Sequence, residues 1–518
     1  MSIAAELGQE LAPTILRRLA EERVPGLAVG IVDAQGQQWS QGFGVLASDD
    51  DRPVDADTMF SVQSTSKLIT STAVLAAADR GLLSLDATLA DLLPGFTVNS
   101  AFETAPEQAI TLRQLLQHTA GFTHEAPIGS NYRVGHESFA AHVTSIRDTW
   151  LRFPVGHHHE YSNLGVDLAG AILQRVTGRH FAAAVRSLLF RPLGIRHSTF
   201  SPEAIRRASN RAKGSWRRAA ESGSRLPVRI PMIPSGGLYA SVNDLLKVVR
   251  LHQSDGASVM AATTRAQLEV LPNVVPDQRE GYGLCVYVDR WDGIPVHHHG
   301  GSGFGFHAQL FWLPEHGIGG VVLTNSLDHD LQNELSRLIV RLAAGGRSVD
   351  NVESAEVADV PTDAAGRYLG RLGDVVDVAV RDSSAVLTGD LGRAGDRFRF
   401  LAQGSSGATG YLQNLRDGTV RYRTEPAARV RLDLPPALAG RYQAFMAGAL
   451  VDAYEIRAGD GEPSIRIATR DASVDLALVA QAEGFRSSTG ETLESGPTGV
   501  TYANIPLHPA TSVTLPNP

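Results

Sequence analysis

The chain has 518 residues, a formal net charge of −8, 43% hydrophobic and 20% charged residues, the balance of an ordinary globular protein and too long for one hydrophobic core. No basic run exceeds the Arg-Arg pairs at 17–18, 206–207 and 217–218, which argues against a nucleic-acid partner, and no stretch reaches the ~18 uninterrupted apolar residues of a membrane span. A single cysteine, Cys285, excludes an internal disulfide.

The first twelve residues carry acids inside an apolar pattern and lack a basic start. They predict an amphipathic helix and not a signal peptide, and the protein is expected to be cytoplasmic. Residues 26–45 read as two strands around the turn Asp33-Ala-Gln-Gly36, an opening hairpin.

Lysine then becomes informative. Only three of the 47 Lys+Arg residues are lysines, and Lys67 follows Ser64 by three positions. Arginine suffices wherever a fixed positive charge is needed; lysine is the cation that can lose its proton. Residues 66–78 are apolar and Ala-rich and run into Gly81, which predicts a buried helix with a glycine stop. Side chains at i and i+3 share a helix face, so Lys67 reaches Ser64, and the free N–H groups of the helix start suit a developing oxyanion. The alternative is a capping serine followed by a surface lysine.

Helical periodicity dominates from about 65 to 275, including 111–118, 163–178 and 243–253. Tyr161-Ser162-Asn163 leads into the second of these. A phenol near a lysinium can shuttle a proton, although a packed tyrosine at a helix start would look the same. Strands are expected at 282–289, 295–298, 306–313 and 318–324, with Cys285 a buried thiol in the first, and a last helix at about 330–344. Between two strands lies the glycine-dense turn His299-Gly300-Gly301-Ser302-Gly303, where a backbone N–H can closely approach a substrate oxygen. Strands at both ends with helices between predict an α+β domain, one antiparallel sheet covered by helices.

The histidine runs 157–159 and 297–299 invite a zinc reading. Consecutive histidines in extended chain point to opposite faces, and no acid or cysteine with ligand spacing accompanies them, so no metal site and no cofactor are expected.

After Ala344 the chain turns polar and acidic through Pro361, as in an inter-domain linker. Beyond it come short alternating strands with glycine-rich turns. Ala365-Gly-Arg-Tyr-Leu-Gly370 and Ala439-Gly-Arg-Tyr-Gln-Ala444 open two segments of similar length, which predicts two small antiparallel β-barrels in tandem. The expected layout is a catalytic domain at 1–345, a linker at 346–362 and barrels at 363–435 and 436–518. The barrels are expected to act as lids or as surfaces of a homo-oligomer.

Ser64-x-x-Lys67, Tyr161-x-Asn163 and His299-Gly300-Gly301, in this order, resemble the penicillin-binding-protein and class C β-lactamase superfamily of serine hydrolases. Gly81-Leu-Leu-Ser-Leu-Asp86, Leu115-Leu-Gln-His118-Thr-Ala-Gly121 and Pro234-Ser-Gly-Gly-Leu-Tyr-Ala-Ser-Val-Asn-Asp244 fall where that family has them, so the resemblance covers about residues 10–340. It implies a β-lactamase-like domain followed by lipocalin-like barrels. It implies Ser64 as nucleophile, Lys67 as general base, Tyr161 as proton shuttle and His299 as the catalytic third-motif residue. Asn163 would bind the substrate amide or Lys67, and Gly300, Gly301 and Ser302 would bind substrate, with the N–H groups of Ser64 and Ser302 holding the oxyanion.

The family's third motif is Lys-Thr-Gly in β-lactamases. Histidine here removes a fixed cation and the neighbouring hydroxyl, which points to esterase and aminopeptidase members. The two terminal barrels resemble the D-aminopeptidase branch, in which a loop of the last domain enters the site; residues 486–499, with Glu491 and Glu494, are the candidate loop. The expected reaction is hydrolysis of an amide or ester, of a small molecule or short peptide, through an acyl-serine. Acyl transfer or peptide cyclisation uses the same intermediate, and a non-catalytic ligand-binding or sensing protein is the alternative of another class.

Overall fold

A computed structural model describes residues 2–510 except 132–136, 216–229, 254–258, 276–277, 328, 346–355, 359, 370–374, 382–383, 390–395, 403–408, 417, 425–437, 447–448, 459–462, 469–472, 482–483, 488–490 and 497–498.

The opening hairpin, Gly26–Val32 and Gln38–Ala47, does not stand alone. Every residue of Gly26–Val32 is buried, and so is every residue of Ile318–Thr324; such two-sided apolar strands belong in a sheet centre, where they pair in antiparallel register, Leu27 opposite Thr324. Around this seam the eight-stranded sheet runs in the order Asp50–Pro53, Gln38–Ala47, Gly26–Val32, Ile318–Thr324, Phe306–Leu313, Ile294–Gly303, Tyr287–Trp291, Gly281–Tyr282.

One face packs on the N-terminal helix Ile3–Glu21 and the helix Leu331–Ala343, whose apolar sides bury Leu7, Leu11, Leu335 and Ile339. Arg18 ties the two helices through Glu334, 2.7 Å away. The other face carries the larger core, built around the helices Ser66–Asp79, Asn163–Thr177 and Val242–Gln253. Ser66–Asp79 is buried all round from Ser66 to Ala77, which explains its uniform, alanine-rich sequence.

The structure departs from expectation in three places. The strand expected at 282–289 is two strands, because Cys285 sits in the left-handed region (φ 60°) and breaks the run; its thiol is nonetheless fully buried. The glycines at 300–303 are not turn residues but the end of the strand Ile294–Gly303, and the turn follows at Phe304-Gly305. Within the segment expected as a linker, Glu356–Ala358 is a strand pairing in parallel with Arg397–Ala402; residues 346–355 lie outside the described part.

Among the described residues, the first C-terminal unit is a curled seven-stranded sheet and the second a closed eight-stranded barrel, sealed where Tyr442 pairs with Pro509. The repeated Gly-Arg-Tyr has an atomic counterpart. The Tyr368 hydroxyl donates to the Ala364 carbonyl at 2.8 Å and that of Tyr442 to the Leu438 carbonyl at 3.1 Å, both buried and both four residues back. The arginines match as well: Arg367 pairs with Asp377, and Arg441 with Glu455, each directly across the ladder.

Candidate active site

Ser64 sits on a single 3-10 turn, Gln63–Thr65, that runs directly into the helix Ser66–Asp79. Gln63 takes a left-handed conformation (φ 48°), a costly state for a residue with a Cβ, and its side-chain amide is tied to Ser61 Oγ at 2.7 Å. The sharp turn leaves Ser64 at the wall of a cavity of about 1000 Å³ while Lys67, one turn on, is wholly buried.

Lys67 Nζ lies 3.1 Å from Ser64 Oγ, 2.7 Å from Asn163 Oδ1 and 2.9 Å from the Ser235 carbonyl oxygen. A carboxamide oxygen and a backbone carbonyl can only accept. Both therefore accept from Lys67 Nζ and hold it in place, with the Ser64 hydroxyl within hydrogen-bond reach of the same nitrogen. The Tyr161 ring lies beside the same nitrogen, 4.8 Å from its centroid. His118, itself left-handed (φ 57°), packs on Tyr161 with ring centroids 4.5 Å apart and accepts from the Ser162 N–H.

The strand Ile294–Gly303 runs past the Ser64 turn at van der Waals limit. A Cβ on Gly301 would stand 2.1 Å from the Val62 carbonyl oxygen and 2.9 Å from Ser64 N, so only glycine allows this approach. Thr65 Oγ1 donates to the His299 carbonyl across the same junction. Ser64, Asn163, Gly300, Gly301 and Ser302 thus share the cavity wall with Tyr161.

The His299 ring also borders the cavity, but its nitrogens are engaged elsewhere. Nδ1 donates to the Gly300 carbonyl at 2.7 Å, so Nε2 is the acceptor for the Tyr282 hydroxyl at 2.8 Å. Burial and the nearby Lys67 push its pKa down to about 3. His299 is a neutral, hydrogen-bonded ring and supplies no cation for a substrate carboxylate. Burial also pushes the Cys285 thiol up to about 12, outweighing the opposing influence of Lys67.

The remaining histidines of the two runs diverge into packing. His158 stacks on Phe153 and meets the Tyr422 hydroxyl at 3.2 Å, His297 faces Glu269 at 3.3 Å, and His298 stacks on Tyr287.

On the wall of the same cavity, all three parts of the chain meet at Arg152. Its guanidinium lies 3.0 Å from Glu491 of the closed barrel, 3.5 Å from Glu160 and 4.6 Å from the centre of the Tyr422 ring, which belongs to the seven-stranded sheet. Burial works against its charge, but Glu491, Tyr422 and Glu160 outweigh that and hold it protonated. Thr123 Oγ1 donates to the second Glu491 oxygen at 2.8 Å. A second turn of the barrel reaches in beside it, where Asn504 donates to the Glu125 carbonyl at 3.0 Å. Glu494, by contrast, is exposed on the strand Thr492–Gly496 opposite Thr501.

Arg152, Glu160, Tyr422 and Tyr282 escaped the sequence reading, since none stands in a spaced motif. Ser235 and His118 lay inside quoted motifs, but only as family landmarks.

A sequence model described as Beta-lactamase matches residues 11–344. Penicillin-binding protein 4 of Amycolatopsis lactamdurans is 29% identical over 322 residues, which is 59% of this chain and 82% of that protein. Esterase EstB of Burkholderia gladioli is 33% identical over 209 residues, 38% of this chain and 52% of that protein. Among solved structures, the octameric penicillin-binding protein homologue from Pyrococcus abyssi matches at TM-score 0.56 and 19% identity, over 90% of this chain and 99% of that one. SurE, which has also been solved with D-Leu, matches at TM-score 0.60 and 23% identity, over 81% of this chain and 99% of its own. These two likenesses show the fold.

Proposed function

The chain belongs to the beta-lactamase family and is a serine hydrolase of the penicillin-binding-protein type; on that footing we propose that it cleaves amides, short peptides or esters of D-amino acids through an acyl-enzyme on Ser64. In this reading Lys67 takes the proton as Ser64 Oγ bonds to the substrate carbonyl carbon. The oxyanion settles between the N–H groups of Ser64 and Ser302. Tyr161 hands a proton to the leaving nitrogen or oxygen as its bond to carbon breaks, and water then releases the acid by the reverse path.

The observation that carries the reading is the placement of Lys67, whose Nζ is held by two acceptors and stands 3.1 Å from Ser64 Oγ, within reach of that serine's proton. The substrate class rests on charge. Two carboxylates, Glu160 and Glu491, share the single guanidinium of Arg152, which leaves net negative charge for a substrate ammonium. The neutral His299 speaks against a carboxylate at the third motif. A fold neighbour solved with D-Leu agrees with the stereochemistry proposed.

A cavity of about 1000 Å³ exceeds a single amino-acid amide, and it favours a second reading in which a bulky acyl group is passed to an amine instead of water. The test is intact-mass analysis after exposure to a fluorophosphonate, with turnover of matched D- and L-amino-acid p-nitroanilides and p-nitrophenyl esters. One adduct, lost in Ser64→Ala, with turnover of the D series is expected. No adduct and no turnover would favour a ligand-binding protein.

A further inference from the structure

Behind Lys67 lies a buried ion pair that touches neither substrate nor nucleophile. The helix Phe139–Ser145 brings His142, and the helix Asn163–Thr177 brings Asp167, to 2.9 Å between Nε2 and Oδ2, both with 0% exposure. The other ring nitrogen, Nδ1, stands 2.6 Å from the Ile128 carbonyl oxygen. A carbonyl and a carboxylate only accept, so both ring nitrogens carry hydrogen and His142 is an imidazolium. Burial opposes that charge, but the Asp167 hydrogen bond and charge prevail and hold the ring above its ordinary pKa.

Asp167 spends its remaining acceptor capacity on one residue. Ser235 N donates to Oδ1 at 3.0 Å and Ser235 Oγ to Oδ2 at 3.0 Å. Ser235 then presents its own carbonyl to Lys67 Nζ at 2.9 Å. The adjoining residue is held from the other side, where Thr70 Oγ1 donates to the Pro234 carbonyl at 2.7 Å. At the far end the pair reaches the loop that carries Glu125 and Asn131 into the cavity. Gly129 of that loop lies so close that a Cβ would stand 3.0 Å from His142 Nδ1 and 2.8 Å from Pro231 Cβ, with φ at 75°.

A buried ion pair is weak support for stability, since apolar replacements of similar volume often hold a fold equally well. Here the other bonds that Asp167 accepts both come from Ser235, the residue whose carbonyl holds Lys67. We infer that Asp167 and His142 are positioning residues for Lys67: by fixing Ser235 they hold its carbonyl against Lys67 Nζ, and so keep that nitrogen beside Ser64 Oγ. The inference rests on the reading of Ser64 and Lys67 as the reacting pair. Around Lys67 the other titratable groups are Tyr161, Cys285 and His299; around His142 they are Asp167 and Glu125.

The test compares the full chain with Asp167→Asn, with Ser235→Ala as the milder change that keeps the backbone N–H, and with Lys67→Ala, alone and combined with Asp167→Asn. The readout is the second-order rate of Ser64 phosphonylation by a fluorophosphonate from pH 5 to 9, with circular dichroism reporting the fold. We expect Asp167→Asn to slow phosphonylation about 100-fold and move the acid limb of the profile, as misplacement of a catalytic group by an ångström does. Ser235→Ala should fall between it and the parent, and Asp167→Asn should add nothing once Lys67 is alanine. If Lys67→Ala retains the parental rate, the reacting pair itself is misassigned. If Lys67→Ala is slow but folded Asp167→Asn and Ser235→Ala keep the parental rate and profile, or if the Asp167→Asn loss adds in full to that of Lys67→Ala, the positioning role is overturned.

Discussion

Glu491 and Arg152 form an ion pair at 3.0 Å inside the cavity that holds Ser64, although one comes from the last barrel and the other from the catalytic body. The barrel therefore forms part of the wall of the cavity that holds Ser64. Without Glu491 the Arg152 guanidinium would be balanced by Glu160 alone, and the net negative charge there would be lost.

Glu491→Gln keeps the shape and removes one of the two carboxylates that share Arg152. Activity toward D-aminoacyl p-nitroanilides with a free amine should drop about tenfold in kcat/KM, mostly through KM, while N-acetylated counterparts are unaffected. Equal losses in both series would mean that Glu491 serves only to anchor Arg152.

Gly301→Ala forces a methyl group into the Val62 carbonyl and the Ser64 amide. Overpacking of this kind costs about 1–3 kcal/mol, and relief of the clash must displace the nucleophile turn. Urea unfolding should show that loss together with near-complete loss of Ser64 phosphonylation. Ser302→Ala, which keeps the backbone N–H, should remain active.

Stability should fall in acid for a reason set by buried neutral histidines. Burial, with Arg265 beside one and Lys67 beside the other, pushes His252 and His299 down to about 3. Unfolded histidine takes a proton near pH 6.5, so between about 6.5 and 3 the unfolded state binds more protons and stability declines as pH falls. His142 works in the opposite sense, its raised value giving stability that is present below about pH 6.5 and lost as pH rises through the folded value. Urea midpoints at pH 7.5, 5.5 and 4.5 should decrease in that order. His252→Gln, which lies away from the site against Thr72 and Trp312, should flatten the slope. A slope unchanged in that variant would locate the acid lability elsewhere.

Ile467, Leu476 and Ile505 of the barrel also line the cavity. If acyl chains lie there, p-nitrophenyl esters of longer acyl chains should show falling KM. Ile467→Asp, at a half-buried position, should abolish that trend while leaving acetyl-ester turnover intact. No dependence on chain length in the parent would place the acyl group elsewhere.

Much of this site was legible because its logic is local. Ser64 and Lys67 share a helix face at a fixed spacing, Tyr161 and Asn163 flank one helix start, and the glycines of 300–303 announce a close backbone approach. The tandem Gly-Arg-Tyr segments announced two related sheets, and their tyrosines repeat one hydrogen bond. Illegible were the partners that depend on the fold alone. Cys285 sat in an alternating run that predicts a strand, but its left-handed backbone interrupts the ladder. The glycine cluster suggested a turn, whereas Gly300–Gly303 continues a strand whose edge lies against Ser64.

The sequence by itself pointed to Ser64 and the amine beside it, to the α+β body and to two related C-terminal β units, because helix periodicity, strand alternation and glycine usage are written in neighbouring residues. The tertiary structure alone decided which acceptors hold Lys67, that His299 turns to Tyr282, and that Glu491 closes on Arg152 and Thr123. Thr123 and Glu491 stand 368 positions apart, and no local pattern encodes a contact that exists only once separate elements have buried their apolar faces together.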